Sequence, residues 1–163
     1  MSKAATILPV DLIKMKAREF GLDPLLVAAI CLKESSGNAY AQRFEPKYRW
    51  LFKHDSFAKK LGASIETEEN GQKTSYGLMQ VMGAVMRERG FEGWFGKAFD
   101  AETNIHFGCM HLAHFMKIYG NEADAIASYN AGRPKRDEAT MKYVNQSYID
   151  GVLRLKASFN GKL

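Results

Sequence analysis

The sequence predicts a mainly α protein, an irregular helical bundle, on three observations. Apolar residues recur at three-to-four spacing along most of the chain, cap and stop residues punctuate those stretches, and strand-type alternation is sparse. The first helix is expected to open at Pro9, to keep Val10, Ile13, Ala17 and Phe20 on one face, and to stop at Gly21. Asp23 and Pro24, a cap followed by a first-turn proline, begin the second. It runs through eight apolar residues, Leu25 to Leu32, and ends near Glu34, before Ser-Ser-Gly-Asn. Ser75 is read as the cap of a third helix, "YGLMQVMGAVMRER", ending at Gly90. A fourth carries Ile105, Cys109, Leu112, Met116 and Tyr119 as one stripe, and a fifth begins at Asn121 and stops at Gly132. After a loop at Arg133 and Pro134, a long last helix is expected to share one face among Met141, Val144, Tyr148, Val152, Leu155 and Phe159.

Residues 40 to 74 break this pattern. The aromatic and basic "YAQRFEPKYRWLFKH" leads to a short helix near Ser56 to Leu61 and then to the polar "SIETEENGQKT", with a short hairpin expected around 63 to 74. Excursions of this length often line a site.

The composition fits one domain over all 163 residues, with 46% apolar and 25% charged residues. No stretch approaches the roughly 20 apolar residues that span a bilayer, so membrane insertion is not expected. The start, "MSKAATILPVDLIKMKAREFG", lacks the long apolar block and small-residue cleavage site of a secretory signal; another export route, or prior removal of a signal, is expected. Cys31 and Cys109 both fall on apolar stripes and read as buried free thiols. A net charge of +5 points to a negatively charged partner, nucleic acid or an anionic cell envelope. Zinc-finger spacing and an aromatic RNP-type strand motif are both missing, so nucleic acid is not expected, and the protein reads as a monomer.

Glu34 is the residue that the pattern singles out. It shares a helix face with Val27 and Ile30, so one side of its carboxyl is expected to be desolvated, which favours the neutral form. It sits in the last helical turn, where the dipole disfavours an anion, while Lys33 acts the other way. A carboxylic acid still protonated near neutral pH can deliver a proton to a poor leaving group such as a glycosidic oxygen. The alternative is a frayed, solvated terminal glutamate.

Four motifs, "KESSGN", "SYGLMQVM", "ASYNAG" and "TMKYV", occur in that order between Lys33 and Val144, roughly two thirds of the chain. In this the sequence resembles the soluble lytic transglycosylases, a lysozyme-like family that is also similar to goose-type lysozymes. The resemblance implies a lysozyme-like α domain acting on peptidoglycan glycan strands, without a metal or other cofactor. It makes Glu34 the single acid/base and Ser35 its motif neighbour. Gly77, Leu78, Met79 and Gln80 match a segment lining the glycan groove, with Met79 as apolar wall and Gln80 as polar contact. Tyr129 and Asn130 match a pair whose tyrosine approaches the catalytic carboxylate and whose asparagine faces substrate, and Tyr143 matches the tyrosine of the last motif. Each also has a packing reading: Met79 and Tyr129 as core, and Gly77 as a site of close helix approach. Tyr143 lies about 100° from the core stripe of the last helix, which leaves it outside that packing.

Two departures from the family pattern stand out. Glu34 and Gly77 are 43 residues apart, more than the pattern has, so residues 44 to 73 read as an insertion. Ala139, in place of the usual acid, precedes Thr140 in the final motif. Within the insertion Arg43, Tyr48 and Trp50 are types that stack on sugars or hold carboxylates. Glu45 is the first choice for a second carboxylate, ahead of Asp55, Glu66, Glu68 and Glu69, should the reaction use water as glycosidases with paired carboxylates do. Pairing of Glu45 with Arg43 or Arg49 is the bland alternative. A wall-binding module without activity is the third function class. His106, His111 and His114 lie on one helix but without a third ligand at a telling spacing, so no metal site is expected.

Overall fold

The structure, a computed structural model, describes residues 8–163; residues 1–7, on which part of the N-terminal reading falls, lie outside the described residues. In chain order it comprises α1 (Val10–Glu19), α2 (Pro24–Ser35), β1 (Gln42–Phe44), α3 (His54–Leu61), α4 (Ile65–Gln72), β2 (Thr74–Tyr76), β3 (Val81–Met82) and α5 (Gly83–Glu88). A 3-10 turn at Phe95–Phe99, α6 (Ala101–Tyr119), α7 (Glu122–Ala131) and α8 (Gln146–Ser158) complete it. No described helix is long and apolar enough to cross a membrane.

The core is centred on α2. The Asp23 carboxylate accepts from the Leu25 N–H at 2.9 Å to fix the helix start, and every side chain from Leu26 to Cys31 is buried. Burying a Leu, Val or Ile contributes about 1.5–3 kcal/mol, so this segment is a large share of the driving force. It is enclosed because α1 and α8 pack directly on it, while α6 packs on α1 and α7, and α7 closes onto α8. Cys31 and Cys109 meet this core as free, buried thiols.

Three expected elements differ. The single helix from Ser75 to Gly90 is instead a strand, a turn, a strand and the short α5, because Gly77 and Gln80 have φ of 70° and 47°. Asn104 on α6 holds that turn: its side chain accepts from Met79 N–H at 2.8 Å and donates to the Tyr76 carbonyl at 2.7 Å. Helical spacing in "YGLMQVM" is thus overridden by a buried amide from another element. Strand β2 is the middle of a three-stranded antiparallel sheet, pairing Arg43 with Ser75 on one side and Ser75 with Met82 on the other.

The hairpin expected at 63 to 74 is mostly α4. Ser64 caps it by accepting from the Thr67 N–H at 3.0 Å, and its inward face is polar: Glu68 and Gln72 are both buried. Arg87 of α5 grips both Glu68 oxygens, at 2.8 and 2.9 Å, and lies against the rings of Phe57, Phe91 and Phe95. Gln72 brackets the Phe52 backbone through both ends of its amide. Because this inward face binds through charge, no apolar stripe announces the helix.

The last helix also begins later than expected. Met141 takes φ of 57°, the Asp137 carboxylate caps a turn through the Ala139 and Thr140 N–H groups, and α8 starts at Gln146. Met141 and Val144 are exposed, whereas Tyr148, Val152, Leu155 and Phe159 face the core.

Candidate active site

Glu34 occupies the last turn of α2, on the face it shares with the fully buried Val27 and Ile30. Tyr148, one turn into α8, donates its hydroxyl to Glu34 Oε1 in a short hydrogen bond. Burial holds the Glu34 carboxyl above the ordinary carboxylate range; the Tyr148 bond and the positive charges of Arg43 and Lys33 act against this without cancelling it. Desolvation and the Glu34 charge together push the Tyr148 hydroxyl well above its usual range, so it remains a donor. Lys33 lies with its ammonium 5.8 Å from the Tyr148 ring centroid, across α8 at Gly151, where a Cβ would stand 2.9 Å from Nζ. The missing side chain at Gly151 is therefore what lets Lys33 pass.

The turn at Gly77–Gln80 is tied to the end of α2 by Ser35, whose hydroxyl lies 3.0 Å from the Cys31 carbonyl and 2.8 Å from that of Leu78. Its one hydrogen serves either acceptor, which makes Ser35 a strut between acid and turn. Gly77 is buried, and a Cβ there would stand 2.4 Å from Asn104 Nδ2, so it serves close approach. Met79 is fully buried, its side chain against Gly108 of α6. That places it in the core and not on a groove wall. Gln80 uses its amide internally, donating to the Ala41 and Gly77 carbonyls at 2.9 Å and accepting from Ser75 at 3.0 Å.

Tyr129 sits beside the acid without bonding to it. Its hydroxyl donates to the Met79 carbonyl at 2.8 Å, and burial, with the nearby Glu34 charge, pushes its pKa well up. Asn130 is exposed and accepts from Asn145 at 3.0 Å. Tyr129, Asn130 and Gln80 share a cavity of about 930 Å³ with Tyr48 and Trp50 of the insertion and with Arg89 and His111. Glu34 is outside that lining; Tyr129 is the wall between the acid and the cavity.

Tyr143 is placed elsewhere. It precedes α8, its ring is buried beneath Arg136 at 4.0 Å, and its hydroxyl donates to Asp124 at 2.6 Å while accepting from Arg136 at 2.7 Å. It clamps the loop before α8 onto α7. The tyrosine that reaches Glu34 is Tyr148, which the sequence had assigned to core packing. Its signal was a hydroxyl on an otherwise apolar stripe. Asn104 was missed as well; a lone amide amid the apolar residues of α6 was the clue.

Of the carboxylates considered as a second acid, Glu45 pairs with Arg43 at 2.5 Å, Glu68 is buried against Arg87, and Glu69 and Asp55 both face His54 at 3.3 and 3.4 Å. Glu66 is exposed. His106 faces Glu19, His111 faces Arg89 and His114 is exposed; among the described residues no three His, Cys, Asp or Glu side chains group as metal ligands.

These features define a class, an α-helical domain presenting one partly desolvated carboxyl beside an open cavity, a layout suited to acid catalysis. The chain belongs to the transglycosylase SLT domain family, whose pattern it matches over residues 11–150. It is similar to protein IpgF of Shigella flexneri, 29% identical over 90 residues, covering 53% of this chain and 58% of that protein. The IpgF of Shigella sonnei is 29% identical over 89 residues, covering 52% and 57%. The chain thus spans less than two thirds of the curated relatives it matches.

Proposed function

We propose that the protein is a peptidoglycan lytic transglycosylase that cleaves the MurNAc–GlcNAc β-1,4 bond with Glu34 as its one acid/base. The observation that carries this reading is the environment of Glu34. Its carboxyl is kept toward the neutral form by burial, a tyrosine orients it, and the charged groups bearing on it, Arg43 and Lys33, are basic. A retaining glycosidase places a second carboxyl about 5–5.5 Å away, which would add a negative charge to those neighbours. Glu45, the first choice for that part, is engaged by Arg43.

In this mechanism Glu34 protonates the O4 leaving oxygen as the C1–O4 bond breaks, and the GlcNAc end departs with that proton. The substrate's N-acetyl group stabilises the cationic C1. The Glu34 carboxylate then takes the proton of the muramoyl C6 hydroxyl as its oxygen bonds to C1, closing a 1,6-anhydro ring and returning the carboxyl to its starting state. The sugar hydroxyl replaces the water that a second carboxylate would activate.

Mass spectrometry of glycan fragments from digested sacculi tests the reading. Anhydromuramoyl ends are expected; reducing ends with water added would refute it in favour of a muramidase. Sedimentation with sacculi that are never cleared would mark a binding module.

A further inference from the structure

Arg89, just beyond α5, is a guanidinium that the fold does not satisfy. Its Nε is closed off from solvent without a hydrogen-bond partner. Its side-chain polar contact is Nη2 to His111 Nδ1 at 3.4 Å. His111 supplies no counter-charge: burial, with Arg89 and His114 beside it, brings its pKa down to about 3, so it faces Arg89 as a neutral acceptor. Arginine stays charged in proteins, and a buried donor left unpaired costs about 1–3 kcal/mol.

Arg87, two positions earlier, shows how the same fold satisfies a structural arginine. Its Nε and Nη2 bond to Glu68, and its Nη1 to the Phe91 and Gly93 carbonyls. Arg89 has none of this, and it lines the 930 Å³ cavity together with His111 and Arg133. Glu88 is the single acid in that lining, and it is exposed. The cavity is at the upper end of ligand-pocket sizes and carries Trp50, 70% exposed, packed edge-to-face on Tyr48.

We propose that this part of the cavity is an anion subsite built on Arg89, and that it takes a carboxylate of the peptide borne by the muramoyl sugar. The inference rests on the function proposed above. Tyr129 walls both the acid and the cavity, so a substrate branch next to the bond at Glu34 extends past Tyr129 toward Arg89. The planar fork of an arginine matches a carboxylate, and the aromatic pair offers the apolar flank that a peptide needs.

The test is an NMR titration of the full chain with N-acetylmuramoyl dipeptide, its fully amidated form and inorganic phosphate, for wild type and Arg89→Gln. The free-carboxylate compound is expected to bind, with amidation and Arg89→Gln each weakening it roughly ten- to thirty-fold. Arg89→Lys, which keeps the charge without the fork, should fall between. The ratio of cleavage rates on peptide-bearing and amidase-stripped glycan strands should drop by a similar factor in Arg89→Gln. Because no partner is lost, melting of Arg89→Gln should match wild type. Equal binding of free and amidated compounds, phosphate binding as tightly as the muramoyl peptide, or a large melting loss in Arg89→Gln would each overturn the subsite. A wild type that binds the dipeptide through Arg89 but cleaves no glycan would keep the subsite and refute the proposed activity instead.

Discussion

Replacing Tyr148 with Phe removes a single hydroxyl from the site and leaves the ring over which Lys33 lies. That hydroxyl donates to Glu34 Oε1, and a hydrogen bond to a charged group is worth about 1.5–3 kcal/mol. Two consequences follow with separate readouts. The bond favours the carboxylate, so its loss leaves burial less opposed, with only Arg43 and Lys33 acting against it, and the Glu34 pKa rises further. Since a general acid is active when protonated, the alkaline limb of kcat/KM moves to higher pH. The same bond orients the carboxyl, and losing about 2 kcal/mol of positioning lowers kcat roughly 30-fold at the optimum. Release of soluble fragments from purified sacculi, followed across the acid-to-neutral range, measures both, with thermal melting as the control for folding. A rate at the wild-type level with an unmoved limb would show that Tyr148 does not hold Glu34. A limb displaced to lower pH would mean that the hydrogen bond serves the neutral acid.

Glu34→Gln should lower cleavage by at least about 10³-fold, within the range for a lost general acid, and persistence of wild-type clearing would point to another acid. Because the folded Glu34 pKa is raised, its protonation adds stability at low pH that is lost as pH climbs through the folded value. Glu34→Gln should therefore melt higher than wild type near neutrality, by about 2–4 °C per kcal/mol, with the gain shrinking below the usual carboxylate range; a variant that melts lower at neutral pH would contradict this. Arg87→Met strands the buried Glu68 and should cost about 3–5 kcal/mol in denaturant titration, while Glu68→Leu with Arg87→Met recovers most of it. If the double variant is as unstable as the single one, the penalty is lost packing and not an unpaired charge. Gly77→Ala forces a Cβ to 2.4 Å from Asn104 at a φ of 70° and should cost about 3 kcal/mol, and adding Asn104→Ala should relieve only the steric part. An unchanged melting temperature for Gly77→Ala would show that the turn adapts freely.

Much of the scaffold was legible because caps and stripes are local signals. Asp23, Asn121 and Gly132 mark helix boundaries in the structure as they do in the sequence, and the apolar run before Glu34 is the centre of the core. Burial of Glu34 against Val27 and Ile30, with a raised pKa, follows from helical spacing alone. Where the reading failed, the deciding partner was distant in sequence and polar. Asn104 converts "YGLMQVM" from an apparent helix into a strand and a turn, and Arg87 makes a helix of a segment whose inward face is Glu68 and Gln72. Periodicity records apolar burial, so it is silent where a buried face is satisfied by hydrogen bonds and charge.

The site divides in the same way. The sequence by itself determined which acid ends a buried helix, which motifs accompany it, and that an aromatic insertion stands nearby. Only the tertiary structure decided that Tyr148 and not Tyr143 meets the carboxyl, because α8 begins at Gln146 and turns Tyr143 onto Asp124. It also decided that Met79 packs in the core, that Gln80 braces its own turn, and that Tyr48 and Trp50 share a cavity with Arg89. The physical reason is that a residue's type fixes what chemistry it can do, while the partner that uses that chemistry is chosen by packing across the fold.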